Sequence, residues 1–240
     1  MRIFFYLTVS VLFVLPVSAQ EGTPISKTTW EFGFEGGASS RQIKAQDRVT
    51  QGRGEFNSGA LPHSTITLGY AFTESFKSAI LGSFQQNEFQ DVSEAQATQR
   101  PDATNEYELR LRRSISNLAE VRFGFGSQKR LFSRAENFNQ FVFDDANVMF
   151  WGVGVEGAFV IDNNMLLGAM VDFRSLGSSN THGYAIEEGS EVKSSVFAKK
   201  RLHDLWWMAK IFYNFSDQNS LLVKQTEKQT GISLGVTYVY

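Results

Sequence analysis

The sequence predicts an all-β protein: an antiparallel up-and-down transmembrane β-barrel of about ten strands, with eight and twelve as the alternative counts, short periplasmic turns at one end and long extracellular loops at the other. Three observations predict it. Apolar residues recur at every second position in short segments, the links between segments alternate short and long, and charges inside the segments fall almost wholly on the opposite parity. Successive side chains of a strand point to opposite faces, so this pattern separates an apolar medium outside from an ionic interior. The longest apolar run after the N-terminus, VMFWGVGV, is far too short for a spanning helix.

The chain opens MRIFFYLTVSVLFVLPVSAQ. The basic Arg2, an apolar stretch, Pro16 and the small-residue end Val17-Ser18-Ala19 make residues 1–19 a secretory signal peptide cleaved after Ala19. Residues 20–27 follow as a periplasmic N-terminal segment, and 28–240 form the barrel domain. The chain has no Cys, which rules out a disulfide framework and a lipidated N-terminal Cys. Of 23 Lys and Arg only Arg2 leaves with the signal peptide, so 22 stand against 25 Asp and Glu, a net of −3. Such a balance offers no basic stripe to nucleic acid.

The first segment carries Trp30, Phe32 and Phe34 on one parity, the second Ile66, Leu68, Tyr70 and Phe72, and the third Phe76, Ile80 and Phe84. Tyr107, Leu109 and Leu111 mark the fourth, Val121, Phe123 and Phe125 the fifth, and Met149, Trp151, Val153, Val155 and Phe159 the sixth. The seventh has Leu167, Ala169, Val171 and Phe173; the eighth and weakest has Val192, Val196 and Ala198; the ninth has Trp207, Ala209, Ile211 and Tyr213. The last, GISLGVTYVY, sets Ile232, Leu234, Val236, Tyr238 and Tyr240 on one face. These β-branched and aromatic residues suit a pleated surface. Short links fall at TES (73–75), SISN (114–117), DNN (162–164) and HD (203–204), with long polar stretches between them. An even strand count brings both termini to the short-turn side.

Opposite the apolar parity lie Glu31, Glu35, Glu106, Glu108, Arg110, Arg112, Glu120, Arg122, Glu156, Asp172, Arg174, Lys193, Lys199, Arg201 and Lys210. Their mixed signs predict an ionic network filling the lumen. A Lys or Arg facing lipid at the midplane costs about 2–4 kcal/mol; the exceptions, Arg113 and Lys200, sit near the short-turn end, where their stems reach the interface. Pairing of the fourth and fifth segments about Ser116 places Arg112 opposite Glu120. Lipid-facing aromatics fall into two girdles. Trp30, Tyr70, Phe72, Phe76, Phe159, Trp207, Tyr238 and Tyr240 lie near the short turns, and Phe84, Tyr107, Phe125, Trp151, Phe173 and Tyr213 near the loops. A soluble β-sandwich alternates too, but its mutually facing inner surfaces would not hold so many charges, and girdles have no role in it.

The closing ISLGVTYVY, an alternating strand ending in an aromatic, resembles the targeting signature of Gram-negative outer-membrane β-barrel proteins, the small single-chain barrels of the porin-like and OmpA-like kind. The usual last residue is Phe; here it is Tyr240. The resemblance covers the mature chain in architecture and only the last strand in motif. It implies an outer-membrane location, export by the general secretory pathway, escort by periplasmic chaperones, and insertion by the barrel-assembly machinery through Ile232, Leu234, Val236, Tyr238 and Tyr240. It also implies contact with outer-membrane lipid and lipopolysaccharide, and it leaves the activity open.

Small outer-membrane barrels include enzymes. The omptin proteases, similar in strand number, need paired carboxylates and an Asp-His couple at the loop-side rim to activate water. Asp144 and Asp145 are adjacent acids on that side, but there is no Asp-x-His. His203 falls in a short turn, His182 in the polar NTHGY loop, and His63 alone enters a strand near the loops as a candidate base. The lipid A deacylase and palmitoyltransferase barrels need a Ser, a His and an orienting carboxylate, and no spacing singles out one of the many serines. Glu187, Glu188 and Glu191 lack the spacing of a calcium loop and read as a solvated acidic loop. Gly124, Gly126, Gly152, Gly154 and Gly168 lie on inward parity, where they make room for long side chains or permit curvature. No catalytic residue, cofactor or metal is therefore assigned.

In RLFSRAENFNQFVFDD, Phe132, Phe138, Phe141 and Phe143 interleave with Arg130, Arg134 and Glu136. These rings either pack on one another above the barrel or present an apolar patch to a partner or to lipopolysaccharide, with the arginines on phosphates. Three functions fit such a chain: a closed structural or surface-interaction barrel binding an extracellular partner through its loops, a narrow pore for small solutes, or a hydrolase at the loop-side rim. Opposite charges that pair across the lumen favour the first.

Overall fold

The computed structural model describes residues 29–73, 75–87, 89–91, 96–98, 102–137, 140–181 and 184–240. The signal peptide, the 20–27 segment and His182 lie outside them. In chain order the strands are β1 (Thr29–Asp47), β2 (Arg53–Ser58), β3 (Leu61–Ala71), β4 (Phe76–Asn87), β5 (Phe89–Asp91), β6 (Gln96–Thr98), β7 (Asp102–Ser116), β8 (Ala119–Asn137), β9 (Gln140–Asp162), β10 (Met165–Leu176), β11 (Ser179–Thr181), β12 (Tyr184–Ile186), β13 (Gly189–Leu202), β14 (Leu205–Asp217) and β15 (Val223–Val239).

Ten of them close into an antiparallel barrel in the order β1-β3-β4-β7-β8-β9-β10-β13-β14-β15, with β15 returning to β1 from Glu31↔Val239 to Asp47↔Val223. Each alternating segment is one barrel strand. Even the weak eighth is fully paired, β13 bonding β10 on one side and β14 on the other. Closure leaves no edge to template pairing with another chain. The two ends of the barrel strands meet at the short-turn side, where Trp30 and Tyr240 exchange backbone hydrogen bonds of 2.9 and 3.0 Å.

One register differs from the sequence reading. The β7–β8 turn consists of Asn117 and Leu118, and a bulge between Ser114 and Ser116 precedes it. Arg112 therefore stands opposite Arg122, while Glu120 stands opposite Ser114. A tight two-residue turn centres the hairpin beyond Ser116, and the bulge keeps both arginines on the inner face.

The outer wall carries the apolar parity into solvent-accessible space: Ile66, Ile80, Val196, Ile211, Ile232 and Leu234 are all exposed. Monomeric water-soluble proteins rarely expose so continuous an apolar surface. Most of the buried apolar residues lie instead above the loop-side end, in two clusters. One joins Ile43, Ala45, Phe56, Leu131, Phe141, Phe143 and Val223; the other joins Phe132, Ala146, Val148, Phe150, Leu176, Tyr184 and Ile186.

The reason is the length of the β8–β9 hairpin. β8 pairs with β7 only up to Gln128, yet it stays paired with β9 to Asn137. Beyond Gln128 its free edge crosses the mouth and meets the opposite wall: Gln225 of β15 donates to the Leu131 carbonyl at 2.7 Å and accepts from the Ser133 amide at 2.8 Å. The hairpin thus partitions the mouth, with one face packed on β1, β2 and β15 and the other on β10 and β12. Phe132, Phe141 and Phe143 are buried, and so is Arg130, so these residues of the segment present no apolar patch or cation to an outside partner. Phe138 lies outside the described residues.

Candidate functional site

The lumen is the candidate site, and strand parity builds it. Between the short turns and the cap it encloses a cavity of about 690 Å³ that reaches the short-turn rim at Thr29, Asn117, Leu118, Thr237 and Val239. No residue of the two apolar clusters lines it. The buried clusters of the β8–β9 hairpin, here called the cap, therefore lie outside the cavity's lining.

Near the short turns, Glu31 accepts from Arg112 and pairs with Lys77 at 3.6 Å, and Glu35 pairs with Lys210 and accepts from Ser233 at 2.6 Å. Midway, Lys199 donates to Glu156 at 2.8 Å, while Arg122 lies 3.6 Å from Glu156 and 3.1 Å from Asp172. Higher up, Arg174 reaches across from β10 to Glu106 at 2.8 Å and Glu108 at 2.6 Å on β7. Glu108 also takes Arg110 at 2.7 Å, and Lys193 closes on Glu106 at 2.6 Å.

Directly under the cap, Glu227 of β15 accepts from Arg41 at 2.7 Å and lies 3.3 Å from Arg130 of β8. β8 and β15 are five strands apart either way round the ten-strand ring, and they meet here because β8, past its pairing with β7, crosses the mouth to β15. Arg130 also approaches Glu191 of β13 at 3.6 Å and donates to Ser216. Arg41, Arg130, Glu191 and Glu227 form a belt that the sequence reading did not place in the lumen: it put Arg130 in the Phe-rich loop and Glu191 in a solvated acidic loop, and it did not name Arg41 or Glu227. Its signal was available: Arg41 keeps the parity of Glu35, and Glu227 that of Ser233, beyond the point where the alternating segments were taken to end.

Two sequence-named charges stand apart. Arg201 is exposed at the rim and donates to the backbone of its own turn, at the His203 carbonyl, 3.1 Å away. Glu120 lines the cavity close to the short turns. Two inward glycines take the side chains laid over them. A Cβ on Gly154 would stand 1.8 Å from Asp172 Oδ1, and one on Gly168 would stand 2.4 Å from the Phe197 ring. Hence Asp172 lies flat enough to meet Arg122.

The candidate catalytic groups are not brought together. Asp144 and Asp145 are neighbours on β9, so they face opposite sides: Asp144 is buried against Arg134 (3.1 Å) and Tyr184 (3.3 Å), while Asp145 pairs with Lys129. His63 lines the cavity edge-on to Phe212, ring centroids 5.2 Å apart, and neither ring nitrogen has a hydrogen-bond partner. His203 sits in the β13–β14 turn with a φ of 58°.

The acidic loop likewise separates: Glu191 points into the lumen, Glu188 is exposed, and Glu187 bridges to Arg48 at 2.8 and 3.0 Å. That bridge ties the β1–β2 turn to the link before β13. Its hydrogen bonds hold the Glu187 carboxyl below, and the Arg48 guanidinium above, their ordinary values. Burial, and then the nearby Asp144 carboxylate, push the Tyr184 hydroxyl well above the ordinary tyrosine value. No group of three or more His, Cys, Asp or Glu suited to a metal occurs among the described residues.

On the outside, Trp30, Phe72, Phe76, Trp207, Tyr238 and Tyr240 are exposed at the short-turn end, with Tyr70 against Trp30 at a ring distance of 4.8 Å. Phe84, Tyr107, Phe125, Trp151, Phe173 and Tyr213 are exposed nearer the loops.

No family model and no curated relative matches the chain. Among solved structures, the outer-membrane protease OmpT from Escherichia coli is similar with a TM-score of 0.53 and 8% identity, over 92% of this chain and 99% of that one. An outer-membrane channel from Pseudomonas putida F1 matches with a TM-score of 0.46 and 8% identity over 94% of this chain and 100% of that one. The outer-membrane protein AlkL matches with a TM-score of 0.42 and 12% identity over 95% of this chain and 97% of that one. By fold the chain is a closed ten-strand β-barrel similar to that of the outer-membrane protease, and its exposed apolar wall requires a bilayer around it.

Proposed function

We propose that this protein is a closed surface barrel of the outer membrane, whose ion-paired interior is a rigid support and whose loop-side cap is the part displayed to the outside. The contact that carries this reading is Arg130 to Glu227, which ties the mouth-crossing strand of the hairpin to β15. Buried charges on opposite walls lock the walls together only when each is paired and hydrogen-bonded, and most of the lumen charges are. The cap's two apolar clusters exclude water above them.

The purified mature barrel in a planar bilayer is expected to give no steady unitary current. A variant lacking residues 131–145 is expected to conduct, since the cavity then loses its cover. Stable unitary steps from the intact protein would overturn the closed reading in favour of a narrow pore. That second reading draws on the cavity itself, which already reaches the short-turn rim.

A further inference from the structure

The charges of the lumen are not spread evenly round its wall. Successive inward positions of β7 are Glu106, Glu108, Arg110 and Arg112, all ion-paired. The neighbouring inward positions are His63, Thr65 and Thr67 on β3 and Gln85, Ser83 and Leu81 on β4, with no formal charge among them. This neutral band continues across β1 and β15 to β14 as one network. Ser39 Oγ accepts from Gln85 Nε2 at 3.1 Å and from Gln229 Nε2 at 3.2 Å. Gln229 Nε2 also donates to Gln85 Oε1 at 2.8 Å, and Asn214 Nδ2 donates to Gln229 Oε1 at 3.0 Å. Thr65 and Ser83 share a hydrogen bond of 3.0 Å. Ion pairs bound the band on both sides, Glu35 with Lys210 nearer the short turns and Arg41 with Glu227 nearer the loops.

Two rings stand in the band. His63 lies over Gly37 and Phe212 over Gly231: a Cβ on Gly37 would come 2.8 Å from the imidazole Cε1, and one on Gly231 would come 2.5 Å from the Phe212 ring. The two glycines let the rings settle against the wall, and both rings line the cavity. Both nitrogens of His63 are buried without a partner, next to the edge-on Phe212 ring. The hydrogen-bonding capacity of this wall is therefore not used up within the protein.

We propose that this wall binds a neutral polyhydroxylated molecule, a saccharide of one or two rings. The amides of Gln85, Gln229 and Asn214 each offer both a donor and an acceptor to its hydroxyls, and the Phe212 ring covers a C–H face. A ligand hydroxyl that turns the Phe212 ring aside reaches the imidazole of His63. The cavity, about 690 Å³, lies within the range that holds small ligands. A charged ligand would have to open one of the bounding ion pairs, and a buried charge left without its partner is costly. The same cavity reaches Thr29 and Thr237 at the short-turn rim, so the ligand arrives from the periplasmic side. The site does not depend on whether the mouth conducts.

The test is saturation-transfer NMR on the full mature barrel in nanodiscs, with glucose, maltose, lactose, trehalose and cellobiose as neutral probes and empty nanodiscs as the blank. At least one of the five is expected to receive saturation at millimolar concentration. For that sugar, Gln229→Leu and Phe212→Ala are each expected to weaken binding about 10-fold. Glu188→Gln, in the exposed link before β13, should leave binding as it is. Should Phe212→Ala fail to show heat-modifiable mobility, Phe212→Leu serves and should also weaken binding. Glucuronate and glucosamine should bind more weakly than glucose. Saturation of none of the five sugars would overturn the inference, as would undiminished binding by the folded Gln229 and Phe212 variants. A preference for either charged sugar would overturn it too, because the ligand would then sit on the ionic wall.

Discussion

Glu227 is the residue on which the closure of the lumen depends most. It is 8% exposed and lies between Arg41 and Arg130, each 5% exposed. Replacing it with Ala leaves two buried guanidinium groups without this carboxylate, and breaking a buried pair by removing one partner costs about 3–5 kcal/mol. At ~2 kcal/mol per molar urea, that is a shift of about 1.5–2.5 M in the unfolding midpoint. Glu227→Gln should lose less, because its amide oxygen still accepts from Arg41. The double variant E227A/R130M should recover part of the loss, since it removes the stranded charge on the far wall, and the coupling between the sites is the quantity of interest. The assay is urea titration in lipid vesicles followed by tryptophan fluorescence and by the heat-modifiable gel shift. A midpoint for E227A within about 0.5 M of the parent, or strictly additive effects of the two changes, would refute the argument that this ion pair holds β8 against β15.

Three further outcomes follow from the same geometry. Phe56 is fully buried, with Phe141 and Phe143 packed edge-on at ring distances of 5.6 and 5.0 Å, so Phe56→Ala should cost about 3–5 kcal/mol locally and expose the loop-side hairpin to added protease on whole cells. A Cβ on Gly126 would stand 2.0 Å from the Tyr107 carbonyl oxygen, whereas one on Gly157 would meet nothing within 4 Å; Gly126→Ala should lower the temperature of the gel-shift transition and Gly157→Ala should leave it in place. The Arg48–Glu187 bridge lowers the carboxyl's value in the folded protein, so its contribution is present above the ordinary carboxylate value of 4.5 and fades as pH falls through the depressed one. The protection factor of the Arg48 amide, which donates to the Leu222 carbonyl at 2.8 Å, taken relative to the intrinsic exchange rate at each pH, should therefore fall on acidification and not on raising the pH.

How far the sequence reaches is clear from particular residues. Trp30-Phe32-Phe34 and Ile232-Leu234-Val236 could be assigned to the outside because a strand in contact with lipid must alternate, and the same constraint placed Glu31, Arg112 and Arg174 within. Period-2 parity is a local property, and it survives without knowledge of neighbours. The cap was not legible in this way. In the hairpin, Leu131 and Phe132 are both buried although they point to opposite faces, and Phe141 and Phe143 are buried on the parity that lower on β9 faces lipid. Apolar residues on both parities signal a strand covered on both sides, but nothing local says by what.

The sequence by itself determined that the chain is a barrel with an apolar wall, an ionic interior and an end for the turns, because bilayer and lumen act on every strand alike. Only the tertiary structure decided that Arg130 meets Glu227, that the Phe-rich hairpin folds into the mouth, and that Arg112 faces Arg122. Those depend on register, on one bulge, and on which strands stand opposite in a ring of ten, and all of these are relations between segments far apart in the chain.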